Sequence, residues 1–304
     1  MRYGRRRRAS RSGRIAHAQP ESITIHGSRV LESLGGLLRV APRTSASVVT
    51  LVKKGCRMKY EGQIAETVCL TGHQGDRIDA YFARPLGCGP FPGIVVIHHM
   101  PGWDESNKEI ARRFAHRGYA AILPNLHFRE GKATAEENSA SIRAAGGMPD
   151  DRTMGDVQAA IDFLRMQPYL NGKVGVIGYC SGGRQAYLAA CTVQGIDAVV
   201  SCYGGGVVAK PEDLTPRQPV APVDLTKNLQ CPLLGLFGIE DTRPSPADAA
   251  KTEEALKRHH KTYEFHTYEN AGHAFFAVDR TQYRVHAALD GWKKVFAWLE
   301  KYLR

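Results

Sequence analysis

The stretch KVGVIGYCSGGRQAYLAA, residues 173–190, decides how this chain folds. Its first half, Lys173 to Gly178, is a run of β-branched and small apolar residues, the composition of a strand covered on both faces. Its second half, from Gly182, reads as a helix. The chain must therefore pass from strand to helix within Tyr179, Cys180 and Ser181. So sharp a turn crowds the backbone two residues before and two after its apex, where Gly178 and Gly182 stand. The apex side chain is the thiol of Cys180, at a helix N-terminus whose dipole favours an anion. The Ser181 amide, one residue further, faces the same space.

The alternation continues outward from this turn. Strands are predicted at 65–70, 77–85, 93–99, 119–125, 173–179, 197–204, 231–238 and 263–268. Helices are predicted at 106–117, 154–166, 182–193, 247–260 and 282–303. In the second helix Asp156, Val157, Ala160, Ile161 and Leu164 recur at spacings of three and four, one buried face. Strand after helix after strand calls for parallel neighbours joined by crossovers. The expected fold is α/β, a mostly parallel, eight-stranded, doubly wound sheet with helices on both faces. The first two strands, separated only by TGHQGD (71–76), form an antiparallel hairpin at its edge.

Charge divides the chain in two. The 304 residues carry a formal charge of +11. Residues 1–57 hold 13 Lys and Arg, including the run Arg5 to Arg8, against only Glu21 and Glu32. That segment accounts for the whole excess, and the domain expected at 58–304 is neutral, without the basic surface of a nucleic-acid partner. Three readings fit the extension: an organelle leader, a disordered basic arm, or residues upstream of a start at Met58, where the composition changes. No apolar run reaches the roughly 18 to 20 residues of a membrane span. Seven cysteines form an odd set without a CxxC pair, which points to a reducing, cytoplasmic setting. Apart from Cys180 they read as small buried hydrophobes.

A thiol nucleophile needs a base, and the base an orienting acid. When the nucleophile stands on a strand-to-helix elbow, the acid and then the histidine follow it, each in a loop after a late strand. Asp241 follows the strand 231–238 in LLGLFGIEDTRPSP, and His273 follows the strand 263–268 in EFHTYENAGHAFF. Glu240 adjoins Asp241, His266 falls within a strand, and His259 and His260 end a helix, where a cation is favoured. After the strand 93–99, VVIHHMPGWDE forms the opposite wall. Its Met100 amide and the Ser181 amide are the candidate oxyanion donors. His98 and His99 either tune the thiol, bind substrate or close the strand. They lack a third ligand at metal-binding spacing, so no metal is expected.

These motifs resemble the dienelactone hydrolase family over residues 58–304: GYCSGG around Cys180, the loop with Asp241, AGH at His273, YAAILPNLH, and NGKVGVIGYC. The resemblance implies a single-domain α/β-hydrolase fold, without a cofactor, that opens lactones and related esters by way of a cysteinyl-enzyme. It matches Cys180 to the nucleophile, Asp241 to the acid, His273 to the base, and Met100 and Ser181 to the oxyanion amides. Two positions depart from the family. His99 stands where members carry a glutamate beside the thiol, and Ala277 where they carry an arginine for the substrate carboxylate. A second family arginine corresponds to Arg143, and Arg184 and Arg280 are alternative anion partners. The exchange at His99 predicts a resting thiolate–imidazolium pair between Cys180 and His99.

The function expected is hydrolysis of a small ester or lactone by a monomer or homodimer. The alternatives are a broad esterase acting on xenobiotic esters and a non-catalytic, ligand-binding relative.

Overall fold

The computed structural model describes residues 62–131 and 133–304. The basic extension 1–57, its boundary at Met58 and Cys56 lie outside the described residues.

The described strands are β1 (Gln63–Thr71), β2 (Arg77–Pro85), β3 (Phe91–Ile97), β4 (Ala120–Pro124), β5 (Leu170–Tyr179), β6 (Ala198–Cys202), β7 (Leu233–Gly238) and β8 (Tyr263–Tyr268). They form one eight-stranded sheet in the order β1-β2-β4-β3-β5-β6-β7-β8. β1 pairs with β2 antiparallel, from Gln63 opposite Pro85 to Thr71 opposite Arg77. β2 is antiparallel to β4, and every neighbouring pair from β4 to β8 is parallel. This is the α/β sheet, with its edge hairpin, that the alternation of patterns predicts.

The helices are α1 (Glu105–His116), α2 (Ala135–Ala144), α3 (Asp150–Arg165), α4 (Ser181–Thr192), α5 (Pro246–Arg258) and α6 (Val285–Leu303). Alternate residues of the central strand β3 face opposite layers. Val95 and Ile97 pack with Val157 and Ile161 of α3 and Ala186 and Ala189 of α4. Ile94 and Val96 pack with Phe114 of α1 and Val295 and Leu299 of α6. All seven residues of β3 are buried. Each large aliphatic side chain so placed contributes about 1.5–3 kcal/mol, which is why this strand reads as a continuous apolar run.

Helix starts follow local chemistry. Asp104 caps α1 by accepting from the Asn107 amide. Ser245 and Asp248 form a reciprocal capping box on α5, with Pro246 in its first turn. α3 begins four residues before its predicted start, at Asp150 and Asp151, acids that suit the positive end of the helix dipole. α2 has no counterpart among the predicted helices.

From β3 the chain runs to β4 on one side of the sheet and later to β5 on the other. The strand order reverses at β3, so a crevice opens past the carboxyl ends of β3 and β5, where ligands bind in open α/β sheets.

Candidate active site

Cys180 occupies the turn between β5 and α4 with φ 57° and ψ −120°, a strained region for a residue with a β-carbon. Its amide donates to the Cys202 carbonyl at 3.1 Å, and its carbonyl accepts from the Gly183 amide at 3.0 Å. A β-carbon on Gly178 would lie 1.9 Å from the Gly182 carbonyl oxygen, and one on Gly182 would lie 2.3 Å from that of Ile97. The two glycines are thus required by close packing of backbone on backbone.

His273 and Asp241 come from the loops after β8 and β7. The His273 Nδ1–H donates to Asp241 Oδ2 at 2.9 Å, and Oδ1 of the same carboxylate accepts from the Arg243 amide at 2.8 Å. The Asp241 side chain is 1% exposed and that of His273 35%, so the acid is sealed while the imidazole reaches the cleft. The Tyr203 ring meets the imidazole edge-on, with centroids 5.2 Å apart. His273 also hydrogen-bonds the Cys180 thiol.

Burial alone would raise the Cys180 pKa, but the hydrogen bond and charge of His273 and the Ser181 and Met100 amides outweigh it. The thiol is held below its ordinary value. Burial alone would lower His273, but its hydrogen bonds to Asp241 and Cys180 raise it to about 10. Both shifts favour a thiolate beside a protonated imidazole.

The imidazole beside the thiol is that of His273, not that of His99. The His99 Nε2–H donates to Asp104 Oδ2 at 2.5 Å. Burial opposes the Asp104 charge, but the hydrogen bond and charge of His99 and the Asn107 contacts prevail and hold the acid at about 2. His98 is 2% exposed, with Nδ1 on the His99 carbonyl and Nε2 on the Leu126 amide. Neither ring is among the residues lining the cleft.

The cleft has a volume of about 550 Å³ and brings together Met100, Arg143, Cys180, Ser181, Asp241 and His273. Arg184 also reaches it, but its guanidinium is 6% exposed and clamped on both Asp150 oxygens, at 2.6 and 2.9 Å. Arg243 also lines the cleft, near Arg184, and is not singled out by the sequence reading; its position two residues after Asp241 is the signal that could have found it. Arg143 and Arg243 are exposed and have no ion pair among the described residues. Ser139 of α2 donates to the Met100 carbonyl at 3.1 Å, tying this helix to the wall beside the thiol.

The family model for the dienelactone hydrolase family matches residues 78–303. A relative from Methylorubrum extorquens with a carboxymethylenebutenolidase-like name is 36% identical over 228 residues, 74% of this chain and 77% of that one. A Bradyrhizobium relative named for lactonase activity on 2-oxo-3-(5-oxofuran-2-ylidene)propanoate is 31% identical over 234 residues, 76% of this chain and 92% of that one. A Klebsiella pneumoniae crystal structure with a dienelactone hydrolase title superposes with a TM-score of 0.73 at 29% identity. It covers 79% of this chain and all of that one.

Proposed function

Because this chain belongs to the dienelactone hydrolase family and is a hydrolase of that type, we propose that it opens small esters or lactones through a cysteinyl-enzyme on Cys180. One observation carries the proposal. A thiol on a strained elbow, an imidazole bonded to a sealed carboxylate, and two backbone amides converge on one wall of the cleft.

In the proposed sequence the Cys180 thiolate attacks the ester carbonyl, and the carbonyl oxygen takes the negative charge between the Met100 and Ser181 amides. As the C–O bond breaks, the His273 imidazolium gives its proton to the departing alkoxide. The neutral imidazole then takes a proton from water, and the resulting hydroxide attacks the thioester. The acid leaves and the thiolate returns. Asp241 keeps the His273 proton on Nδ1, so the other ring nitrogen faces the reacting atoms throughout. A direct test is mass spectrometry after rapid quench with a slowly hydrolysed ester. Fragmentation of the labelled peptide should place the acyl mass on Cys180; its placement on Ser181 would sink the mechanism.

The lowered thiol pKa and raised imidazole pKa set the pH dependence. A depressed pKa keeps the thiolate present below the range in which an ordinary thiol protonates. Labelling of Cys180 by iodoacetamide should fall off at a lower pH than labelling of an ordinary thiol. In His273→Ala the burial penalty is left unopposed by the imidazolium, so the labelling profile should move to higher pH. Superimposable profiles would refute the pair.

Arg143 and Arg243 favour a substrate that carries a carboxylate, as the substrate in the Bradyrhizobium relative's name does. For such a lactone, Arg243→Ala should raise KM roughly 3- to 30-fold, the range for a solvent-screened charge-assisted contact. For a neutral ester KM should be unchanged, and an equal rise for both would remove Arg243 from recognition. The six cysteines of the described residues are unpaired, Cys69 and Cys88 exposed rather than buried as the sequence predicts, and free thiols support a reducing compartment, the cytoplasm. Among the described residues no helix is long and apolar enough to cross a membrane.

A further inference from the structure

The amide of Met100 belongs to the peptide unit that joins His99 to Met100, and the far end of that unit is the His99 carbonyl. Two donors hold this carbonyl: His98 Nδ1 at 2.8 Å and the Gly102 amide at 3.0 Å. A carbonyl oxygen only accepts, so His98 Nδ1 must carry a proton. On the other side of the ring, Nε2 lies 3.2 Å from the Leu126 amide nitrogen, which only donates, so Nε2 must offer a lone pair. A single neutral tautomer satisfies both contacts. The ring is held edge-on against His127, with centroids 4.6 Å apart. Burial, and then the neighbouring His127, lower the His98 pKa to about 3, so the ring stays neutral near pH 7.

We propose that His98 is a positioning residue of the oxyanion hole, joining the Leu126 amide beyond β4 to the His99–Met100 peptide whose N–H meets the Cys180 sulfur. The inference rests on the reading of Cys180 given above. A hydrogen bond donated to a peptide carbonyl polarises the whole unit and makes its N–H a stronger donor. It also resists rotation of the peptide plane, so the donor is already aimed when charge develops on the substrate oxygen. His98 acts only through this peptide and does not line the cleft.

The experiment measures p-nitrophenyl acetate hydrolysis and iodoacetamide labelling of Cys180 in the full chain, in His98→Leu and in His98→Asn, with Cys180→Ala as reference. Alkylation places no charge on a carbonyl oxygen, so it senses the Met100 amide only through the thiolate and not through an oxyanion. His98→Leu should lower kcat roughly 10- to 100-fold, less than outright removal of a donor, while KM and the labelling rate stay within about threefold. His98→Asn puts a side-chain amide donor where Nδ1 stood and should recover kcat to within about fivefold of wild type. A wild-type kcat in His98→Leu overturns the relay and leaves the Cys180 reading intact. So does a fall in labelling equal to the fall in kcat, or an asparagine variant as slow as the leucine one. Hydrolysis that survives Cys180→Ala overturns the Cys180 reading and the relay together.

Discussion

Replacing Cys180 with alanine should lower kcat for small esters by roughly 10⁴- to 10⁶-fold, the range seen when a nucleophile is removed from a hydrogen-bonded catalytic set. KM should change little, because the cleft walls and both backbone amides remain. The fold should be unaffected or slightly stabilised: Cys180 adopts a strained φ of 57°, and alanine there keeps the strain while removing a polar group that burial disfavours. Steady-state kinetics beside a thermal melt separates these effects. A variant that melts like wild type and still turns over within tenfold of it would remove Cys180 from the mechanism.

Gly182→Ala should act on the fold itself. Its β-carbon would stand 2.3 Å from the Ile97 carbonyl oxygen and 2.6 Å from that of His98, both backbone atoms at the end of the central strand. Neither can retreat without parting β3 from β5, with which Ile97 is in register at Gly178. The expected cost is about 3 kcal/mol or more, seen as a fall in Tm of roughly 6–12 °C for a domain of this size. Gly75→Ala is the matched control. Its φ is +86° but nothing lies within 4 Å of the added carbon, so only the backbone penalty of about 1 kcal/mol applies. Equal melting temperatures for the two variants would show that the elbow yields more readily than its contacts imply.

These cases also mark what could be read from the chain. The elbow was legible because its steric demand falls two residues to either side of Cys180, on Gly178 and Gly182. The juxtaposition of Asp241 and His273 was legible because each lies in the loop after a late strand, and strand ends locate loops. α2 escaped because only Ser139 and Ile142 of its residues are buried, too few for an apolar period to emerge. Its capping box, Thr134 with Glu137, was the available signal. Arg143 and Arg243 are 100 residues apart, and only the fold puts them on one cleft. The histidines show a different boundary. His98 and His99 are adjacent and chemically identical, yet one grips a peptide carbonyl and the other Asp104. Sequence names the side chains, but the direction of each ring nitrogen is a property of the packed loop.

The burial of α4 has a consequence for how such a molecule fails. Every residue from Gly182 to Cys191 is buried, so the helix that begins just after Cys180 has no wet face from which to fray. Regions that open locally are those with few buried contacts, and this one has many. Heat should therefore displace Cys180 only by melting the sheet around it. Residual activity and remaining folded protein should decline along a single curve, with no range in which an intact shell encloses a dead site.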